Sequence, residues 1–333
     1  MIARAHPGVA LGGLGVLLLG VAVASLMVGA LPIALDDLLR WAAGFEIERS
    51  RQLVLSGIRL PRVLLGVVVG ASLGTSGALL QGLFRNPLAS PALLGVSSGA
   101  STGAAVAIVL FGTLSVALPL AAFAGGLLAT GTVLWIATRE GRTDTASLLL
   151  AGIAVNAVAG AATGLLVYLS DEAQLRTLVF FTLGSLGGAA WDSLVVAVPL
   201  AMVPVLGAPW LARSLDALLL GEPEARHLGV DVQRTKAVLV GLVCVGVGAC
   251  VAVSGTIGFV GLAVPHLVRM VFGPGHRTLV VGSALVGAAL LVGADTVSRT
   301  VVAPAELPIG ILTTLLGGPF FLALLHRARW DRP

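Results

Sequence analysis

From Val63 to Leu83 the chain runs for 21 residues without a charge, and Arg59 and Arg62 stand just ahead of that run. About 20 consecutive apolar residues make a helix long enough to cross the hydrocarbon core of a bilayer. Comparable runs recur near 9–31, 59–83, 91–111, 114–138, 145–169, 192–212, 235–255, 257–272, 278–297 and 308–326. They predict an all-α polytopic membrane protein with about ten transmembrane helices, organised as a single domain over residues 1–333. With 57% hydrophobic and 11% charged residues, the chain has too little polar surface to face water on all sides, which excludes a soluble globule. The run at 257–272 is short and holds Gly258, Gly261 and Pro265, the pattern of a broken or tilted helix. Val9 to Leu31 is long enough to span, so it reads as the first transmembrane helix and not as a cleaved signal.

An even number of crossings puts both termini on one side of the membrane. Thirteen of the twenty Lys and Arg residues fall on that side and seven on the other, which makes the terminal side cytoplasmic. A formal net charge of +4 could suggest a nucleic-acid partner, but the basic residues are scattered between apolar runs instead of clustered. They serve topology.

In the run that begins at Arg59, small residues recur at every fourth position: Gly66, Gly70, Gly74, Ala78 and Gly82. One side of that helix therefore lacks bulky side chains, and in lipid such a stripe lets another backbone come close enough to gain dispersion contacts. Gly152, Gly160 and Gly164, with Asn156, repeat the pattern on the fifth span, as do Gly246, Cys250, Ser254 and Gly258 from the seventh toward the eighth. Tight helix packing is expected at each. Cys244 and Cys250 lie six apart on one helix, roughly 9 Å along its axis, too far for a disulfide.

The connections carry the polar residues. Arg59 and Arg62 share a helical face at an N-terminus, with Pro61 in the first turn. That end of a helix dipole is already positive, so two cations there are misplaced unless something acidic meets them. Arg299 emerges on the same outer side, and Asp295, four residues earlier, is placed for a local ion pair with it. Also outside, LDDLLRWAAG is amphipathic, with Leu35, Leu38, Leu39 and Ala42 on one face, and Trp41 and Trp191 fit interfacial anchors. Inside, the turn FRNPLASP is bounded by prolines and contains Asn86 and Leu88, and REGRTDT leads into the fifth span through Asp144 and Thr145. The longest hydrophilic connection, residues 213–236, reads as two short helices over about 214–231: one capped by Ser214 and ending at Gly221, the next starting at Pro223 and Glu224 and ending at Gly229. Leu218, Leu219, Ala225 and Leu228 would form an apolar contact patch on this knuckle.

Catalytic constellations are missing from the sequence. It contains no GxxxxGK[ST] phosphate loop and no HxxxH or HExxH pair, so no catalytic residue and no metal ligand is assigned. An ion-driven secondary transporter needs several intramembrane acids for a relay, and Asp295 is the one of note.

Several blocks, in this order, resemble the FecCD-type permeases: RLPR ahead of a glycine-rich span, QGLFRNPLASPALLGVSSGA, LGEPEARHLGVDV, SGTIGFVGLAVPHLVR, GPGHR and AELPIGILTTLLGGPFF. The resemblance runs from about Arg59 to the C-terminus. These permeases are the membrane subunits of type II ABC importers for ferric siderophores, haem and cobalamin. The resemblance implies a multi-pass subunit of the cytoplasmic (inner) membrane, of ten helices, that pairs with a second copy or a close paralogue around a pathway lined chiefly by spans 5 and 10. Two cytoplasmic ABC ATPase subunits would dock beneath and carry ATP and Mg, with no cofactor in this chain, while a soluble substrate-binding protein would dock outside. By residue, it implies binding-protein docking by Arg59, Arg62 and Arg299, and a cytoplasmic gate at Asn86, Leu88, Asp144 and Thr145, where the acid at 144 departs from the family pattern. ATPase coupling falls to Gly221, Glu222, Ala225, Leu228 and Gly229. His266 and His276 belong to shared blocks and read as architecture. The cargo class implied is an iron chelate, haem or ferric siderophore, with cobalamin as the alternative.

Overall fold

The computed structural model describes residues 7–112 and 117–330, with side chains described over 8–112 and 117–323. The termini, on which the orientation argument partly rests, and the expected start of a span at residue 114 lie outside the described residues.

In chain order the helices are α1 (Pro7–Met27), α2 (Leu35–Ala42), α3 (Arg49–Leu53), α4 (Leu60–Leu83), α5 (Val96–Phe111), α6 (Ala117–Ala137), α7 (Thr145–Leu169), α8 (Glu172–Leu183), α9 (Trp191–Ala201), α10 (Val203–Leu218), α11 (Glu222–His227), α12 (Val232–Ser254), α13 (Val260–Phe272), α14 (His276–Ser298) and α15 (Ile309–Trp330). A two-residue antiparallel hairpin, β1 (Thr138–Arg139) and β2 (Arg142–Thr143), joins α6 to α7. Among the described residues, seven helical stretches are long and apolar enough to cross a membrane, and three shorter apolar helices, α5, α13 and α15, stand at the other three positions expected from the sequence.

α4 is the axis of the molecule. Nearly all of its side chains are buried, whereas α1 and α7 leave long apolar faces uncovered, as surfaces facing lipid or another subunit do. Antiparallel α14 packs along α4 at backbone distance. A Cβ on Gly70 would sit 2.3 Å from the Gly287 carbonyl oxygen, one on Gly74 2.3 Å from that of Ser283, and one on Gly82 2.4 Å from His276 Nε2. Gly66 faces Val292 and Leu186, and Ala78 is fully buried. The other side of α4 is as close: a Cβ on Gly77 would meet the Gly261 oxygen of α13 at 1.8 Å.

Several local expectations change. On α7, Gly152 lies against the Leu93 carbonyl and Asn156 donates to the Ala92 carbonyl at 2.9 Å, but Gly160 and Gly164 have nothing within 4 Å of where a Cβ would be, so within this chain the stripe packs over its first half only. The region expected to span 91–111 starts later, because Pro91–Leu94 forms a 3-10 turn that ends on left-handed Gly95. α10 runs unbroken through Ser214 to Leu218, so the first of the two short helices expected in the knuckle does not exist separately. The loop after α7 contains α8, whose start is fixed by Asp171 and Gln174 in a reciprocal capping box. Ahead of α4, Val54–Arg59 winds as a π-helix continuous with α3. Pro61 has no N–H to give and its ring crowds the preceding turn, and a wider turn there relieves both.

Candidate functional site

At one end of the α4–α14 pair Arg59, Arg62 and Arg299 lie close together, the first two at the head of α4 and the third at the end of α14. Arg62 is 7% exposed and sits between two carboxylates. Its Nε donates to Asp295 Oδ2 at 2.9 Å and its Nη2 to Asp295 Oδ1 at 2.9 Å, while Nη1 and Nη2 donate to the two oxygens of Glu306 at 2.8 and 2.9 Å. Such a planar fork matched to carboxylates is the strongest form of ion pair a side chain makes. Glu306 remains partly exposed, and the hydrogen bonds from Arg62 hold its carboxyl below the usual glutamate range. Arg299 lies 3.7 Å from Asp295 and donates to the backbone and hydroxyl oxygens of Ser25. The local Asp295–Arg299 pair expected from spacing is thus secondary, and Arg62, 233 residues away in sequence, takes the carboxylate.

Arg59, 4% exposed, turns the other way. It donates to Leu26 O at 2.7 Å and Met27 O at 3.1 Å, where α1 ends, and to Leu31 O in the loop beyond. A cation on the last carbonyls of a helix satisfies orphan acceptors and complements the dipole. Gly29 is wedged between Arg59 and Arg299, its missing side chain leaving room for both guanidinium groups. The acidic company that the helix-dipole argument requires for these arginines therefore comes, within this chain, from Asp295, Glu306 and the carbonyl end of α1.

At the opposite end lie the residues of the expected gate and knuckle, whereas Trp191 stays near the arginines and donates to the Ser56 carbonyl at 2.9 Å. Asn86 Oδ1 accepts the Leu88 N–H at 2.9 Å and so closes the turn after α4, leaving Leu88 exposed. Asp144 caps α7 by accepting from the Ser147 N–H and hydroxyl, both at 2.8 Å, and these bonds lower its carboxyl below the ordinary aspartate value. Gly221 and Gly229, at φ 127° and 83°, bracket α11 with backbone angles that favour glycine. The apolar patch on the knuckle differs from the one expected: Leu218 and Ala225 are core residues, and Leu219, Leu220 and Leu228 are the exposed ones. Glu222 is drawn inward, accepting from Lys236 Nζ at 2.7 Å and from Thr145 Oγ1 at 3.3 Å. His276 is buried at the start of α14, with Nδ1 2.7 Å from Asp216, which ties α14 to α10. His266 packs against Phe320 and Phe321, with ring centroids 6.3 and 5.8 Å away.

Sequence reasoning missed Glu306, Leu220 and Lys236. Glu306 stood in a quoted block, and nothing local pointed it at Arg62. A lone lysine at the head of an apolar run reads as a topology charge until the fold shows it buried.

The model of the FecCD transport family matches residues 17–327. The hemin transport system permease protein HmuU of Yersinia pestis is 47% identical over 337 residues, covering 100% of this chain and 99% of its own. The cobalamin import system permease protein BtuC of Halobacterium salinarum is 48% identical over 282 residues, covering 85% of this chain and 76% of its own. A solved structure of a metal-chelate type ABC transporter in an inward-facing conformation superposes with a TM-score of 0.86 at 34% identity, over 97% of this chain and 100% of that one.

Proposed function

Because this chain belongs to the FecCD transport family, we propose that it is the membrane permease of an ATP-binding-cassette importer that carries an iron chelate into the cytoplasm by alternating access. The observation that carries the cargo reading is the end-to-end match with a hemin permease, in which both chains are covered almost completely. Cobalamin is the second reading, favoured by the halobacterial relative.

In this account the pathway forms between two copies of the chain. The uncovered apolar faces of α7, which buries only Leu148, Ala151, Gly152 and Ala159, support that pairing. Both termini and α11 lie in the cytoplasm, and two ATPase subunits dock against α11 and the exposed Leu219, Leu220 and Leu228. Asn86, Leu88, Asp144 and Thr145, at the same end, close the pathway. On the outside, a substrate-binding protein docks over Arg59, Arg62 and Arg299. An acidic lobe engages the cluster through Arg62, competing with the half-exposed Glu306 for its outer edge, because Asp295 is buried too deeply to be displaced.

The cargo is tested by purifying the importer with its binding protein and identifying the retained ligand by mass spectrometry. Haem or a ferric chelate is the expected species. A corrinoid in its place moves the assignment to the cobalamin reading.

A further inference from the structure

We propose that Lys236 is the positioning residue that ties α11 to the β1–β2 hairpin, so that a displacement of α11 is delivered to Thr143, Asp144 and Thr145 at the start of α7. The proposal rests on reading α11 as the helix that docks on the ATPase. Lys236 lies in the first turns of α12 and is 1% exposed, the largest fully buried side chain among the described residues. Its ammonium donates in two directions: to Glu222 Oε1, the first residue of α11, at 2.7 Å, and to the Thr143 carbonyl, the last residue of β2, at 2.7 Å.

Other bonds tighten the same knot. The Glu222 oxygen that receives the ammonium also accepts from Thr145 Oγ1. Gln233, one turn earlier on α12, accepts the Thr143 N–H at 2.7 Å. Thr143 is therefore held by both its backbone groups from a single turn of α12, and its hydroxyl bonds Thr138 across the hairpin at 2.9 Å. A lysine this buried persists only when paired. Moving α11 alone would strand a point charge away from water, which is strongly unfavourable, so α11, the start of α12 and the hairpin shift as one body. That body carries the N-cap of α7.

The experiment uses the complete importer in liposomes. Spin labels at Arg142→Cys and His227→Cys, both exposed in this chain alone and the second at the C-terminal end of α11, report the hairpin-to-α11 distance by double electron–electron resonance, with buried Cys244 and Cys250 as background. The distance is expected to stay constant, to within roughly 2 Å, between nucleotide-free and vanadate-trapped states. In Lys236→Met the distribution should broaden or shift on trapping. Uptake per ATP hydrolysed should fall about tenfold, hydrolysis should remain within about twofold, and Lys236→Met combined with Glu222→Gln should be no worse than either alone. A distance that changes between states in the unsubstituted importer, or single effects that multiply in the double variant, overturns the proposal. The first of these needs no Lys236 variant to fold. Uptake measured in the same vesicles shows separately whether the importer reading holds.

Discussion

Replacement of Arg62 by methionine is expected to destabilise the chain by about 3–5 kcal/mol, seen as a fall in melting temperature on the order of 10 °C in detergent. The reason is what it leaves behind. Asp295 is 2% exposed and would lose its hydrogen-bonded partner, with only Arg299, at 3.7 Å, left beside it. The ion pair itself contributes much less, because burying it had already cost most of what the attraction returns. Arg62→Met together with Asp295→Leu should therefore recover most of the loss, and a double variant as unstable as the single one would refute the account. The same cluster predicts a pH dependence. Glu306 titrates below its ordinary value of 4.5 in the fold because Arg62 binds the carboxylate. Its contribution is therefore fully present above pH 4.5 and is lost as the pH falls through the lower folded value. Melting temperature should drop on acidification below that point, and Glu306→Gln should flatten the drop. An unchanged acid profile in Glu306→Gln would contradict the assignment.

Gly77→Val should be more damaging still, with no monodisperse folded protein recovered. A Cβ at this position would lie 1.8 Å from the Gly261 carbonyl oxygen and 2.6 Å from its carbon. Both are backbone atoms on α13, so no side-chain rotamer relieves the clash, and α4 must separate from its neighbour. Ordinary overpacking costs about 1–3 kcal/mol where side chains can adjust, and here the whole helix interface moves. Gly131→Ala on α6 is the control: nothing lies within 4 Å of its added Cβ, so alanine should be neutral or stabilising by up to about 1 kcal/mol. Equal tolerance at both positions would mean that the α4–α13 contact is not close.

What the sequence made legible was whatever depends on short range. Among the described residues, seven helical stretches of membrane length and three shorter apolar helices stand where apolar runs were expected, with α5 starting late, and the α4 stripe became the surface that meets α14. Two features close in sequence were misread. The α8 capping box of Asp171 and Gln174 was present in plain order, but hydropathy drew attention to the spans on either side. Ser214 resembles a helix start, yet its helix had already begun at Val203, because an i,i+4 ladder once formed runs through a weak former. The long-range pairs could not be read. Arg62 with Glu306, and Lys236 with Glu222 and Thr143, join positions whose proximity exists only after the helices pack. The arginines show the consequence most clearly: their convergence at one end was foreseeable from topology, while their partners inside the chain were not.

The most direct test of the importer account is cargo uptake into liposomes that contain this chain, its ATPase and its binding protein, with nucleotide supplied on the ATPase side. Uptake of labelled haem should require Mg–ATP and should be indifferent to an ionophore that collapses ion gradients. Uptake that persists without the ATPase, or that the ionophore abolishes while ATP is present, would contradict it.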